Sequence, residues 1–303
     1  MTRTQALLAA LAATVFAGTV HSQPLRVCMA EANAPLSYRS QDQTRGLDLR
    51  VAQAVASELG RPLQVVLFES KYEAESTLSH EVNALLSSGV CELASGFPLI
   101  AVDLGPPSRP TARVPDYPGA PRPPLRPWVP LGTLVPSRAY HVVAMGLVVR
   151  DAARESATLA TLGDARVGVT AGTMTGTAVT LYRNGKLRPQ LVGVSQNQNV
   201  LEQLEAGSFD ATLVSLDRYD AWRLDHPGSA LRRAAYVHPL RINIGLVGRS
   251  EAAATIAAAN RVIERSLANG DLERWSTASG IGWIAPVDPQ VGGPIGLPEL
   301  LRE

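Results

Sequence analysis

Cysteine is almost missing from this chain: among 303 residues only Cys28 and Cys91 carry a thiol. Their separation fits neither a Cys-x-x-Cys redox pair nor a zinc site, so no metal role is expected of them. An excess of one charge is missing too, with 28 lysines and arginines against 27 aspartates and glutamates. The absence of a net field argues against binding to nucleic acid or to an anionic membrane, local basic patches aside. The 5 histidines stand singly, which argues against a metal cluster. No Gly-x-Ser-x-Gly elbow, no His-Glu-x-x-His and no phosphate loop occurs, so no familiar hydrolase, zincin or nucleotide chemistry is encoded. Beyond the first two dozen residues, no apolar run approaches the roughly 20 residues that a membrane span needs.

What is present begins with a leader. Arg3 supplies a positive start, residues 6–20 are small and apolar, and Val20-His21-Ser22 offers permitted residues before a cut. Residues 1–22 therefore read as a cleavable signal peptide. No cysteine follows the expected cut directly, so a lipid anchor is not expected, and the mature protein is expected to be soluble and periplasmic.

Behind the leader, β-rich runs alternate with helical ones. Leu25-Arg26-Val27-Cys28-Met29-Ala30, Leu63-Gln64-Val65-Val66-Leu67-Phe68 and the stretch from Val90 to Gly96 read as strands. Between them, residues 46–59 place Leu47, Val51, Ala54, Val55 and Leu59 on one helical face, and residues 77–88 do the same with Leu78, Val82, Leu85 and Leu86. This alternation predicts a parallel sheet covered by helices. Cys28 and Cys91 fall near the starts of the first and third strands. If those strands are parallel neighbours, the two thiols meet, and export favours a disulfide. Closing a loop of that length stabilises the fold by about 4 kcal/mol through the entropy of the unfolded chain.

Residues 101–138 interrupt the pattern with 11 of the 22 prolines. Proline breaks helices and cannot donate to a ladder, so a long extended loop is expected, either a solvated insertion or a flap carrying arginine to a ligand. A strand at 141–149 then leads into a second α/β unit. Its strands are expected at 166–170, 190–194 and 211–215, and its helices near 175–182, 199–205 and 218–225. A return strand at 241–247 and a long helix at 252–272 close the chain.

At this point the sequence resembles the family 3 solute-binding proteins of bacterial transporters, which include many amino-acid receptors. The marks are Pro35-Leu36-Ser37-Tyr38, Gly46-Leu47-Asp48-Leu49, Val167-Gly168-Val169-Thr170-Ala171-Gly172-Thr173 and Leu204-Glu205-Ala206-Gly207-Ser208-Phe209-Asp210-Ala211, in that order. The resemblance implies the two-lobed, type II periplasmic-binding-protein fold, an α/β architecture in which each lobe is a mostly parallel sheet flanked by helices. Lobe 1 would comprise residues 25–143 plus 248–303 and lobe 2 residues 144–247, joined by a two-strand hinge. Open α/β sheets bind ligands beyond the carboxyl ends of their strands, which here means the cleft between lobes. Val27-Cys28 with Cys91-Glu92-Leu93 also looks like a subgroup associated with periplasmic quinoprotein dehydrogenases.

The family's carboxylate-binding Thr-x-x-Arg after the third strand is replaced by Ile100-Ala101-Val102-Asp103. Planar guanidinium suits a carboxylate because it donates two parallel bonds. Arg113 from the proline-rich segment is the candidate substitute, unless it is merely solvated. In the second unit, Gly172-Thr173-Met174 turns into a helix start whose free N–H groups favour an anion, or Thr173 simply caps that helix. Ser215 occupies the place of the family's ammonium-binding aspartate. Asp217, two residues on, either replaces that acceptor or caps the following helix. Glu31 and Asn33 follow the first strand, Tyr38 either stacks on a flat ligand or packs in the core, and Glu69 and Tyr72 follow the second strand.

These residues suit a receptor that captures a small polar solute, amino-acid-like or a small carboxylate, for an ABC-type transporter. It would bind as a monomer, without cofactor or metal, and meet an inner-membrane permease or a periplasmic dehydrogenase. The rival readings are an accessory protein of a quinoprotein dehydrogenase, and a periplasmic dehydratase using Glu31 or Asp217 as acid or base.

Overall fold

The computed structural model describes residues 23–70, 77–122, 125–150 and 156–302; the expected leader and Tyr72 lie outside the described residues. The first strand, β1 (Leu25–Ala30), is followed by a small antiparallel ribbon of β2 (Ala32–Asn33), β3 (Ser37–Ser40) and β4 (Gln43–Arg45). Then come α1 (Leu47–Glu58), β5 (Leu63–Phe68), α2 (Leu78–Ser87) and β6 (Leu93–Pro98). Among its described residues the proline-rich stretch holds a short turn and a two-stranded ribbon, β7 (Thr111–Arg113) with β8 (Trp128–Pro130). The long β9 (Leu134–Val149) leads to β10 (Val167–Thr170), α3 (Met174–Leu181), β11 (Leu191–Val194), α4 (Val200–Glu205), β12 (Ala211–Ser215) and α5 (Leu216–Asp225). The chain returns along β13 (Arg232–Arg249) and ends with α6 (Ala253–Ala268), α7 (Asp271–Ala278) and α8 (Leu297–Leu300).

Eight strands form one sheet in the order β11-β10-β12-β9-β13-β6-β1-β5. At one end β5, β1 and β6 run parallel, and at the other β11, β10 and β12 do. Between them lie β9 and β13, antiparallel to each other and long enough to serve both ends. β12 pairs with β9 from Met145 to Val149, whereas β6 pairs with β13 from Ile244 to Gly248, so the sheet passes from one half to the other near residues 141–144 of β9.

Each half is sealed on both faces, which explains the near-continuous apolar runs of its parallel strands. In the first half, Val51 and Val55 of α1 and Ile256 and Ile263 of α6 cover Leu25, Val27 and Met29. On the opposite face Val82 and Leu85 of α2 pack with Cys28, Ala94 and Phe97. In the second half, Val179 of α3 packs with Val167 and Leu213, while Leu204, Phe209 and Trp222 cover the other side.

Several expectations need correction. β9 begins at Leu134 rather than at 141, although Pro136 lies inside it. Pro136 sits where the register of β9 against β13 shifts between Gly245 and Val247, a place where an absent N–H is tolerated. β13 likewise begins at Arg232, nine residues before the expected 241. The expected helix at 252–272 is two helices, because Gly270 adopts φ 75° and turns the chain between α6 and α7. Cys28 and Cys91 are joined by a disulfide with Cα atoms 5.7 Å apart. Cys91, however, precedes β6 rather than opening it, and the residue opposite Cys28 in the ladder is Ala94.

Downstream of α7 the chain first lies along the first half. The Asn243 side-chain amide donates to the carbonyls of Val287, Pro289 and Gln290, and Gly292 bridges Ile100. It then passes to the second half, where Leu300 is buried with Met145, Leu147 and Tyr236, and the His238 imidazole bonds to the Leu300 carbonyl.

Candidate functional site

Glycine at two positions brings the first half's loops together. Gly46 has φ 113°, and a Cβ there would stand 2.1 Å from the Leu36 carbonyl oxygen. With the side chain absent, the Asp48 N–H reaches that oxygen at 2.9 Å and α1 starts against the small ribbon. Gly96 has φ 69°, and its missing Cβ would lie 3.0 Å from Asp48 Oδ2 and 3.4 Å from Asn33 Nδ2.

Asp48 is fully buried, so its carboxylate needs partners. Tyr140 of β9 donates its hydroxyl to Oδ1 at 2.7 Å, and Ser95 of β6 donates to Oδ2 at 2.8 Å. The Tyr140 oxygen in turn accepts the Gly96 N–H at 2.7 Å. Burial pushes the Asp48 carboxyl up, against the two hydroxyl bonds that pull it down. Burial, with the Asp48 charge beside it, holds the Tyr140 phenol well above its ordinary value. This network fixes α1, β6 and β9 at the floor of a cleft.

The cleft encloses about 490 Å³, with Glu31, Asn33 and Glu69 contributed by the first half and Ser215, Asp217 and Arg218 by the second. A smaller cavity of about 200 Å³ opens beside it and is lined chiefly by Val143, Met145, Val200, Leu213, Leu240 and Ile242. Val143, Ser215 and Arg218 line both spaces.

Most of the residues singled out in the sequence converge here, in roles the sequence did not specify. Glu31 faces the cleft but is paired with Arg39 at 2.7 Å. Ser215 ends β12 and is the N-cap of α5, without a side-chain capping bond. Asp217 neither continues the strand nor caps the helix: it lies inside the first turn of α5, and its Oδ1 is 3.0 Å from Nε2 of the buried His141. Thr173 and Met174 line the smaller cavity. The Thr173 hydroxyl caps α3 by accepting the Gly176 N–H at 3.0 Å while donating to the Thr170 carbonyl at 2.7 Å. Its hydrogen-bonding capacity is thus largely committed to the protein.

Tyr38 and Arg113 are not brought to these two spaces. Tyr38 is held in the small ribbon opposite Ala32 and Arg45. Arg113 lies in β7 with its guanidinium 5.1 Å from the centre of the Trp128 ring, a cation–π contact on the proline-rich ribbon. The flap reading of that segment therefore has no support from Arg113.

Three participants escaped the sequence: Tyr140, His141 and Arg218. For Arg218 a faint signal existed, since a cation in the first turn of a helix opposes the helix dipole and calls for a compensating reason. Further along α5, Asp220 accepts the Gly282 N–H at 2.9 Å, and burial raises its carboxyl to about 6.

No protein-family model and no curated protein sequence matches this chain. Solved structures do resemble it. Substrate-binding domain 2 of Lactococcus lactis GlnP, in an open conformation, shares 13% identity over 87% of this chain and 97% of that one, with a TM-score of 0.61. The unliganded, open L-cystine solute receptor of Neisseria gonorrhoeae shares 18% identity over 84% and 92%, with a TM-score of 0.57. An amino acid ABC transporter substrate-binding protein from Streptococcus pneumoniae bound to L-arginine shares 17% over 85% and 93%, with a TM-score of 0.52. At these identities the likeness speaks for the fold alone. The chain has the two-lobed, type II fold of the periplasmic binding proteins.

Proposed function

We propose that this protein is a periplasmic solute-binding protein, exported by its leader, that captures a small polar solute and delivers it to an inner-membrane ABC-type permease. The solute is amino-acid-like or a small carboxylate. Its two lobes are residues 25–143 with the segment from 248 onward, and residues 144–247, the last residues returning to the second lobe. The observation that carries this reading is the cleft of about 490 Å³, to which both halves contribute polar side chains. A space of this size with a few convergent polar groups is what a small-molecule site requires. Glu31, Asn33, Ser215 and Asp217 contribute to the polar lining, with Thr173 and Met174 at the smaller cavity.

Binding rather than turnover is favoured by the structures that share this fold, which are substrate-binding proteins and a solute receptor. The accessory-protein reading draws on one feature, the disulfide between Val27-Cys28 and Cys91-Glu92-Leu93.

The test is a thermal-shift screen of the mature, ligand-stripped monomer against amino acids, polyamines, small carboxylates and quinone cofactors. A solute at one hundred times its dissociation constant stabilises by about 2.7 kcal/mol, which gives a clear shift. A selective, dose-dependent hit is expected. Silence across the panel, with a dehydrogenase retained in a pull-down, would replace the receptor reading with the accessory one.

A further inference from the structure

The charged groups around the cleft are not equally engaged. Four charged side chains line the two adjoining spaces: Glu31, Glu69, Asp217 and Arg218. Glu31 is ion-paired with Arg39, Asp217 is hydrogen-bonded to His141, and Glu69 is engaged elsewhere in the protein. Arg218 has no hydrogen-bond or ion-pair partner among the described residues, and its side chain is exposed. Its place on the wall common to the polar cleft and the apolar cavity puts an unpaired cation at the junction of the two.

Resting on the receptor reading, we propose that Arg218 is the anion anchor of this site and that the ligand is a small carboxylate bearing an apolar chain. The carboxylate is held at the junction by the guanidinium, whose parallel donors match it. The chain enters the cavity of about 200 Å³ among Met145, Val200, Leu213, Leu240 and Ile242. Because the cleft carboxylates already have partners, an α-ammonium group is not demanded of the ligand. Amino acids with aliphatic side chains and simple fatty acids of similar length fall within the class. The anchor thus stands on the second lobe, on α5, rather than after β6, where Ile100-Ala101-Val102-Asp103 offers no cation.

The experiment is isothermal titration of the mature protein with L-leucine, isocaproate, butyrate, acetate, isopentylamine, L-glutamate and L-arginine, repeated on Arg218→Gln and on Arg223→Gln. Arg223 lies on the same helix, exposed and away from both spaces, and serves as the control. Leucine or isocaproate is expected to bind and isopentylamine, which lacks the carboxylate, is not. From acetate upward, affinity is expected to rise about fourfold for each added methylene until the cavity is full. Arg218→Gln is expected to weaken binding by about ten- to a hundredfold at an unchanged melting temperature, and Arg223→Gln to leave it alone. Unchanged affinity in Arg218→Gln, or isopentylamine binding as well as isocaproate, overturns the proposal. Binding of glutamate or arginine with leucine and isocaproate silent overturns it too, while leaving the receptor reading intact. Silence of every compound, here and in the wider screen, defeats the receptor reading itself.

Discussion

The Tyr140 hydroxyl, on the strand that joins the two halves, donates to the buried Asp48 carboxylate of α1 at 2.7 Å and accepts the Gly96 N–H at the same distance. One oxygen atom thereby ties the first helix, the third parallel strand and the long connecting strand together. Tyr140→Phe is expected to leave Asp48 one donor short and the Gly96 N–H without its acceptor. The loss of stability should be about 2 to 3 kcal/mol, read from urea unfolding with an unchanged m-value.

The disulfide closes a sequence separation of 63 residues between β1 and the approach to β6. Replacing both cysteines by alanine is expected to lower stability by about 4 kcal/mol, because the unfolded chain regains the entropy of that loop. Denaturation of the wild type with and without reductant should show a matching difference, whereas the double variant should ignore reductant.

Asp220 makes stability depend on acid. Its folded carboxyl titrates at about 6, above the ordinary 3.8, so the folded state holds this proton more tightly than the unfolded chain does. Its contribution is therefore most favourable below about pH 4 and is lost as the pH rises through 6. Asp220→Asn keeps an acceptor for the Gly282 N–H and removes the half-buried charge. It is expected to stabilise the protein by about 1 to 3 kcal/mol at pH 7 and to flatten the stability profile between pH 4 and 6, by denaturant midpoints across that range.

Arg113 rests over Trp128 on the proline-rich ribbon. Calorimetry with whichever carboxylate binds the wild type is expected to give the same affinity for Arg113→Ala and Arg122→Ala. A selective loss in Arg113→Ala would return the ribbon to the site. Removal of the cation–π contact should cost about 0.5 to 1 kcal/mol of stability.

Local chemistry explains which parts of this fold were readable in the sequence. Gly46 followed by Leu47, Val51 and Val55 announces α1 because the backbone needs glycine there and the core needs those spacings. The same holds for β10 to β12 and for the cysteine pair, one partner of which lies in β1 and the other just before the adjoining β6. The start of β9 was hidden by Pro136, which locally reads as a break and is rescued only by a register shift in the partner strand. The split between α6 and α7 falls where the apolar spacing of α6 ends at Leu267, with Gly270 as its local mark and Leu272 close enough behind to read as the same helix. At the site, Ser215 and Asp217 were legible from their place after a strand, yet the pairing of Asp217 with His141 spans 76 residues and leaves no local trace. Arg218 has no local signature of its place for the same reason: the two spaces it lines are built by distant segments.

The chain passes between the halves three times, along β9, along β13, and once more between Gly292, which still touches Ile100, and Leu300, buried against Tyr236. Two adjacent strands act as a pin joint that leaves rotation about their common line free. A third tie placed off that line turns the joint into a linkage, in which each angle between the halves fixes the distance the tie must span. If the halves move against each other, the stretch from Gly292 to Leu300, held at one end by each, is expected to limit how far they part.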